Sequence, residues 1–230
     1  MDFFASLSPQ EQPPRLVRQR SPVWIRPSSN VLPASIPGDS LLLHRPRVAA
    51  SIDGLRVYPN ALAFNVHVLY RGGRDLSRRP DGHSSSPFRT AVFSPGEPAD
   101  LARALRLGVL YADGRRALAH YQLPRPPRDA EPEPPVMRPL SGHGNEGAWF
   151  QDFYIWGLPE EGPITIMYSW LDQDVPESRF EIDGDAVRAA ADRIIVLWED
   201  DGDEEDEQNE DGGDGKSGEG DGEARTGLKQ

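Results

Sequence analysis

Seven aromatic residues crowd into the 22 positions from Trp149 to Trp170. The surrounding stretch reads AWFQDFYIWGLPEEGPITIMYSW, and its apolar side chains alternate on both sides of a segment rich in Pro and Gly. This alternation predicts two paired strands joined by a loop. Aromatic side chains on paired strands bury large areas, so they are more typical of a core than of an exposed ligand platform. The block therefore predicts the anchor of a packed β domain.

The clearest single strand runs from Ala61 to Arg71, because apolar residues alternate there with small or polar ones. Pro59 and Asn60 predict a tight turn that connects it to a preceding strand over 47–59, with a bulge at Gly54. The Asp113-Gly114 pair between two apolar runs predicts a hairpin. The predicted core face of the clearest strand consists of Leu62, Phe64, Val66, Val68 and Tyr70. Shorter strands are predicted at 88–93, 136–140 and 179–182.

The apolar period changes from two to 3.6 after Asp183, a plausible helix N-cap. We expect an amphipathic helix over 184–198 that packs on the β body. Its apolar stripe consists of Val187, Ala190, Ala191, Ile194, Ile195 and Trp198. Many short strands followed by one helix predict a mostly β protein, an antiparallel β-sandwich of about seven or eight strands with an immunoglobulin-like or jelly-roll-like topology. A partly open barrel is the alternative.

Both ends of the chain differ in composition from the domain predicted over 41–198. Residues 1–40 contain seven prolines, which predict a disordered arm, with the segment around Trp24 expected to float free of the body. Residues 199–230 contain 14 acidic and 3 basic residues, so they carry a net charge of −11 out of −12 for the whole chain. Such a run predicts an acidic, disordered tail.

Composition also narrows the functional classes. The chain has no Cys, which excludes disulfides and thiolate metal or redox chemistry and favours a cytoplasmic location. Its N-terminus lacks the pattern of a secretory signal, and no apolar run reaches the roughly 18 residues that a membrane span needs. The five histidines show no metal-ligand spacing, so we predict neither a metal nor another cofactor.

Several strings of the sequence resemble a family of intracellular proteins from high-GC Gram-positive (actinobacterial) genomes. These strings are Val57-Tyr58-Pro59, LRLGVLYADGRRA, Trp149, FYIWGLPEEGPITIMYSW, Val175-Pro176-Glu177 and EIDGDAVRAAADRIIVLW. The likeness covers about residues 45–198. The family has no established activity, so the resemblance implies no catalytic residue.

The stretch SGHGNEG (141–147) contains the best catalytic ingredients in the chain. Ser141 would be the nucleophile, His143 the base and Glu146 the orienting carboxylate. A further carboxylate, that of Asp152, follows nearby. The stretch lacks the Gly-x-Ser-x-Gly elbow, and its glycines suggest a mobile polar turn rather than a preorganised site. The candidate residues of this loop are Ser141, His143, Asn145, Glu146 and Asp152.

A second candidate is a basic patch made of Arg71, Arg74, Arg78 and Arg79. Guanidinium groups match phosphate oxygens, but this segment has no aromatic side chains on which bases could stack. We therefore predict a solvated loop and no direct nucleic-acid binding. One alternative is that the acidic tail folds back onto these arginines.

These observations favour a non-catalytic, cytoplasmic protein-interaction module whose partner is a protein. One alternative is a small-molecule binder or hydrolase that uses the Gly-rich loop 141–147. The other is a regulator of a nucleic-acid-binding partner that acts through its acidic tail. The sequence leaves the oligomeric state open.

Overall fold

Antiparallel pairing dominates the structure, a computed structural model that describes residues 21–73, 87–88, 103–119 and 130–198. All of these residues belong to one unit that ends at Trp198. They form one α-helix, α1 (Gly184–Ala191), and a 3-10 turn at Leu171–Gln173. The strands within these ranges are β1 Val31–Leu32, β2 Ala34–Ser35, β3 Ser40–His44, β4 Val48–Tyr58, β5 Ala61–Tyr70, β6 Arg106–Tyr111, β7 Arg116–Leu118, β8 Val136–Gly144, β9 Ala148–Trp156, β10 Ile164–Trp170, β11 Val175–Ile182 and β12 Ile195–Val196.

The strands form two larger sheets and one short ribbon. The six-stranded sheet has the order β2-β4-β5-β9-β8, and β3 pairs with β4 on the same edge as β2. The four-stranded sheet has the order β11-β10-β6-β7, and among the described residues β1 pairs only with β12. The predicted mostly β class with antiparallel sheets and a helix is confirmed. An immunoglobulin-like or jelly-roll-like topology stays a prediction.

One hydrophobic core contains side chains from both larger sheets, which is consistent with a sandwich. Phe64 of β5 and Phe153 of β9 stack at 5.6 Å, and Phe88 meets Phe153 edge-on at 5.2 Å. Ile164 and Ile166 of β10 face the same core from the other sheet. The predicted core face of β5 is therefore confirmed at its fully buried positions, Leu62, Phe64, Val66 and Val68.

Three local predictions are confirmed by the backbone. The ladder between β4 and β5 shifts register between Asp53 and Arg56, where Gly54 has a φ of 62°. This is the predicted bulge. Asn60 adopts a φ of 55° in the turn before β5, a conformation that Asn tolerates better than most residues. Gly114, with a φ of 87°, lies between the antiparallel strands β6 and β7, as the hairpin prediction requires.

The two strands of the aromatic block are not paired with each other, contrary to our prediction. The first, β9, pairs with β5 and β8, whereas the second, β10, pairs with β6 and β11 in the other sheet. Tight hairpins use loops of about two to five residues, and the segment over 157–163 is longer and contains two prolines. It carries the chain from one sheet to the other, so both strands still contribute to one core.

The C-terminal helix is shorter than predicted, because it ends at Ala191 instead of continuing to Trp198. The predicted N-cap is confirmed, since the Asp183 carboxylate accepts a hydrogen bond of 2.9 Å from the Asp185 amide. After the helix, Ile195 and Val196 form β12 and pair with β1. β-Branched residues lose side-chain freedom in a helix, and a strand partner offers them an alternative.

The N-terminal arm also differs from the prediction, because residues 21–40 contain β1, β2 and the start of β3. Trp24, which we expected to float, meets Trp156 edge-on at 6.2 Å on the outer face of the six-stranded sheet. The Tyr154 hydroxyl donates a 2.8 Å hydrogen bond to the Val23 carbonyl. Prolines do not prevent such pairing when the strands are short and lie at a sheet edge.

Several predictions concern residues outside the described ranges. These are the arm over 1–20, most of the strand at 88–93, and the acidic tail over 199–230. Two strands are longer than predicted, since β8 extends to Gly144 and β11 begins at Val175. Within the ranges that the structure describes, no helix is long and apolar enough to cross a membrane.

We expect Trp24→Ala to lower the free energy of unfolding by about 2 kcal/mol, because Trp24 covers the apolar patch formed with Tyr154 and Trp156. Val23→Ala is the matched control: its side chain is 48% exposed, so a change within about 0.5 kcal/mol is expected. Urea denaturation of both variants measures the difference. Equal midpoints for Trp24→Ala and the unmodified chain would contradict the docked position of this segment.

Burial, with a smaller contribution from Tyr58, raises the pKa of Tyr154 above its ordinary value. The folded chain then keeps this proton at a pH where the unfolded chain loses it. The contribution of this pKa shift to the free energy of unfolding is therefore fully present below the unfolded pKa of about 10. It decreases as the pH rises above that value. In Tyr154→Phe this decrease should be shallower, which urea denaturation across the alkaline range would measure. Identical slopes in the two proteins would contradict the prediction.

Candidate functional site

The stretch 141–147 is mainly a strand rather than the predicted polar turn. Strand β8 continues to Gly144, and Gly142 lies directly opposite Gln151 of β9. The side chain of Gln151 fills the space beside Gly142, where any Cβ would collide with its amide. The amide nitrogen of Gln151 donates a 2.8 Å hydrogen bond to the Ser141 carbonyl, which satisfies a buried polar group.

Gly144 has a similar role next to Trp149. A Cβ at this position would lie 2.6 Å from the Trp149 ring. Two glycines at alternate positions therefore admit large side chains from β9 on one face of the strand. His143 lies between these glycines and Ser141 precedes them, so both side chains lie on the other face of the sheet. The glycines of SGHG serve close packing within a strand, where we predicted a turn, and the predicted mobility of this segment stays a prediction.

The structure brings three of the five candidate residues onto the outer face of the six-stranded sheet. Ser141 donates a 2.7 Å hydrogen bond from its hydroxyl to the Asp152 carboxylate, and His143 lies opposite Phe150. The other two belong to the turn after β8. The Asn145 side-chain oxygen accepts hydrogen bonds from the amides of Gly147 and Ala148, at 2.8 and 3.0 Å, so Asn145 shapes the turn. Glu146 is exposed.

A polar network extends from Asp152 across the neighbouring strands. The Arg56 guanidinium lies 3.8 Å from the Asp152 carboxylate and donates a 3.2 Å hydrogen bond to the Asn65 side chain. Asn65 in turn donates to the Asp53 carboxylate at 3.1 Å. The other oxygen of Asp53 lies 3.1 Å from Nδ1 of His67. Each carboxylate of this face therefore has a basic partner.

Tyr58 borders the same network. Burial raises the pKa of its hydroxyl, the Asp152 carboxylate raises it further, and the Arg56 guanidinium opposes both effects. The net direction is upward, so Tyr58 remains a neutral phenol at physiological pH. Its ring meets Tyr154 edge-on at 6.3 Å, which joins the polar network to the patch covered by Trp24.

Beyond the network, apolar and aromatic side chains form a strip on the same face. The Phe150 ring lies between two imidazoles, edge-on to His67 at 4.5 Å and stacked on His143 at 5.2 Å. Strand register continues this row through Ser51 to Leu41, which is 63% exposed, and Leu69 lies in the adjacent row with 51% exposure. We call this set the aromatic strip: Leu41, His67, Leu69, His143 and Phe150.

The arrangement does not assemble a catalytic triad from the predicted residues. Ser141 donates to the Asp152 carboxylate, which also lies 3.8 Å from the Arg56 guanidinium, and its hydroxyl contacts no imidazole among the described residues. His143 makes a ring contact with Phe150, and His67 is paired with Asp53. Among the described residues, no group of three or more His, Asp and Glu side chains could hold a metal ion.

The basic patch is mostly outside the described ranges. Arg71 follows β5 and is exposed, whereas Arg74, Arg78 and Arg79 lie beyond the described residues. The backbone amide of Arg71 donates a 2.9 Å hydrogen bond to the Arg47 carbonyl, which fixes the start of this segment beside the aromatic strip.

No known protein family matches the chain, and no curated protein and no solved structure is significantly similar to it.

Sequence reasoning missed Asp53, Asn65, His67 and Phe150 as members of one surface. The alternation of β5 already placed Asn65 and His67 on its polar face. What joins them to Asp152 and Phe150 is the register of β5 with β9, which pairs Asn65 with Asp152 and His67 with Phe150. Register depends on tertiary pairing, so no local pattern reveals it.

We expect Gly142→Ala to destabilise the chain by about 1–3 kcal/mol, because the added methyl group must displace the buried Gln151 amide. Gly147→Ala is the matched control, since the nearest atom to its added methyl group would be Oδ1 of Asn145 at 3.6 Å, an ordinary contact. Thermal and urea unfolding report both effects. Equal stability of the two variants would contradict the close packing of the Gln151 side chain against Gly142.

Proposed function

We propose that this chain is a non-catalytic protein-interaction module that binds its partner through the aromatic strip. The observation that carries the proposal is a row of apolar and aromatic side chains on one sheet face. Its leucines and His143 are exposed, whereas Phe150 and His67 are half-buried. Leu41 and Leu69 are largely exposed. Leu41 lies in the same row as the Phe150–imidazole stack, and Leu69 lies in the adjacent row. Exposed apolar patches bordered by polar residues are typical of protein-binding surfaces.

The composition of the strip supports a protein partner. Aromatic residues are enriched in the centre of interfaces, and charged residues surround them. Here Phe150 occupies the centre, and Asp53, Asp152 and Arg56 lie in the adjacent rows. The Arg56 guanidinium lies 3.8 Å from the Asp152 carboxylate, and the Asn65 side chain connects Arg56 to Asp53 through hydrogen bonds, so these side chains can form the polar rim of an interface. Two carboxylates on the face also disfavour a nucleic-acid backbone, which repels negative charge.

The hydrolase alternative receives less support from the same face. Its best nucleophile, Ser141, donates its proton to Asp152 and contacts no imidazole among the described residues. The paired strands hold the candidate groups in a row across a sheet rather than converging on one point.

The proposal includes a cytoplasmic location and the relationship to the actinobacterial family. Both rest on the sequence, namely on the lack of cysteine and on the quoted strings between Val57 and Trp198. An interaction role does not depend on either.

We expect Leu69→Ser and Phe150→Ala to lose a partner that the unmodified chain retains. Leu69→Ser removes an exposed side chain and should leave folding intact. Leu118→Ser is the matched control, because Leu118 is 60% exposed on β7 of the other sheet. Immobilised full-length variants are incubated with extract of the source organism, and quantitative mass spectrometry measures the retained proteins. Loss of about tenfold on both strip variants, with none on Leu118→Ser, is expected.

Two results would contradict the interaction module. One is a retained protein set that is the same for all four proteins. The other is ester or amide hydrolysis by the unmodified chain that Ser141→Ala abolishes, because this would assign the face to catalysis.

A further inference from the structure

The aromatic strip lies between an acidic row and a basic end of the same sheet face. Register places Asp53 beside Asn65 and Asn65 beside Asp152, across β4, β5 and β9. We call these three residues the acidic row. Arg56 and Arg138 belong to the next row, on the side away from the strip. The two carboxylates of the acidic row therefore border the strip directly.

The opposite side of the strip is basic. A 2.9 Å hydrogen bond from the Arg71 amide to the Arg47 carbonyl extends the ladder of β4 and β5 by one pair. Strand alternation places Arg71 two positions beyond Leu69 on the same face, and both arginines are exposed. The adjacent turns add Arg45 and Glu146, which are exposed as well. We call Arg45, Arg47 and Arg71 the basic end, because together they outnumber Glu146.

Two rows of uncharged and imidazole side chains separate the acidic row from the basic end. The first row contains most of the strip, namely Leu41, Ser51, His67, Phe150 and His143. The second row consists of His44, Ala49, Leu69 and Ala148. Along the strands, the face is therefore acidic, then largely apolar, then basic.

This order makes the face complementary to itself. Consider a two-fold axis that runs along the strip, midway between its two rows. Rotation about this axis places the basic end of each copy over the acidic row of the other, so the same contact forms twice. Arg71 then lies opposite the partner's Asn65, between the partner's Asp53 and the partner's Asp152. The crossing angle of up to about 30° between packed sheets moves Arg71 toward one of these two carboxylates.

The same rotation matches large side chains with small ones. Phe150 and Ala148 lie two positions apart on β9, in the two rows that the axis separates. The Phe150 ring of each copy therefore lies opposite the partner's Ala148, which leaves room for it. Leu69, which is 51% exposed, lies opposite the partner's His67. Interdigitation of this kind lets two sheets pack face to face at about 10 Å.

Only one orientation of a second copy has these properties. A two-fold axis parallel to the strands would place the acidic row over the acidic row and the basic end over the basic end. Like charges in contact oppose association, whereas opposite charges steer encounter and fix the orientation of the partner. Because the face contains its own complement in charge and in shape, it fits a second copy of this chain.

The size of the face determines how strong such a contact can be. Four rows about 6.8 Å apart on five strands about 4.8 Å apart span roughly 20 Å by 19 Å. Two copies then bury roughly 800 Å² of sheet plane, and the relief of the side chains raises the accessible area toward about 1,200 Å², the lower limit of stable interfaces. We therefore expect a weak dimer that forms with rising concentration.

We propose that the protein that covers the aromatic strip is a second copy of this chain, bound face to face about a two-fold axis along the strip. This inference rests on the proposed function, since it names the partner of the same surface. Leu69 and Phe150 of both copies form the centre of the dimer, and arginine–carboxylate contacts border the centre on both sides.

Sedimentation equilibrium of the full-length chain measures the Kd of this dimer. Salt at about 0.15 M limits the repulsion between two chains of net charge −12 to a range of about 8 Å. Leu69→Ser and Arg71→Glu should each raise Kd by about tenfold. The matched controls Leu118→Ser and Arg116→Glu change exposed residues on β7 of the other sheet and should leave Kd unchanged.

A charge exchange tests the orientation of the two copies. Asp53→Lys and Asp152→Lys are each measured alone and as an equimolar mixture with Arg71→Glu. Alone, a variant at the contacting carboxylate sets like charges against each other at both symmetric contacts. Mixed with Arg71→Glu, it forms a heterodimer with opposite charges at both contacts, so Kd should return to within about threefold of the value for the unmodified chain. Circular dichroism melts verify that each variant is folded, and Leu69→Ser and Arg71→Glu decide the proposal if neither lysine variant folds.

The results separate this proposal from the proposed function. A chain that stays monomeric, while Leu69→Ser and Phe150→Ala still lose a protein from the extract, rejects the dimer and leaves the interaction module in place. A monomeric chain whose retained proteins are the same for all variants rejects both. A dimer that Leu69→Ser and Arg71→Glu do not weaken uses another surface and also rejects the proposal. Failure of both folded lysine variants to restore association in the mixtures rejects the two-fold arrangement.

Discussion

The pairing of β5 with β4 on one side and β9 on the other determines both the core and the candidate face. One parity of β5 supplies fully buried side chains to the core that both larger sheets share. The other parity supplies Asn65 and His67 to the outer face, where register places them opposite Asp152 and Phe150. Because side chains alternate with a period of two, a shift of one residue in this pairing would exchange the two faces. The network and the aromatic strip therefore exist only in this register.

Features that depend on neighbours in sequence were predictable. The alternation of 61–71 revealed the core face of β5, and the Asp113-Gly114 pair revealed the hairpin of β6 and β7. Gly54 marked the bulge because a φ of 62° is a conformation that glycine adopts without strain. In each case, the physical cause lies in a few adjacent residues, so the feature can be predicted from the sequence alone.

Features that depend on distant partners were not predictable. The helix ends at Ala191 because β12 can pair with β1, more than 160 residues earlier in the chain. Trp24 docks because Tyr154 and Trp156 present an apolar patch and the Tyr154 hydroxyl bonds to the Val23 carbonyl. The packing role of Gly142 and Gly144 was not predictable either, because the side chains that they accommodate, Gln151 and Trp149, belong to another strand. Local composition does not distinguish a flexible glycine from one that makes room for a neighbour.

The N-terminal segment also explains why only part of the outer face is available for binding. At one end, Trp24 covers the patch of Ala61, Ala63, Tyr154 and Trp156, so these apolar side chains are already buried within the chain. At the other end, no described segment covers Phe150 and its two imidazoles, although the same strands continue there. In the proposed function, a partner protein covers this strip, whereas Trp24 of the chain itself covers the other end of the face.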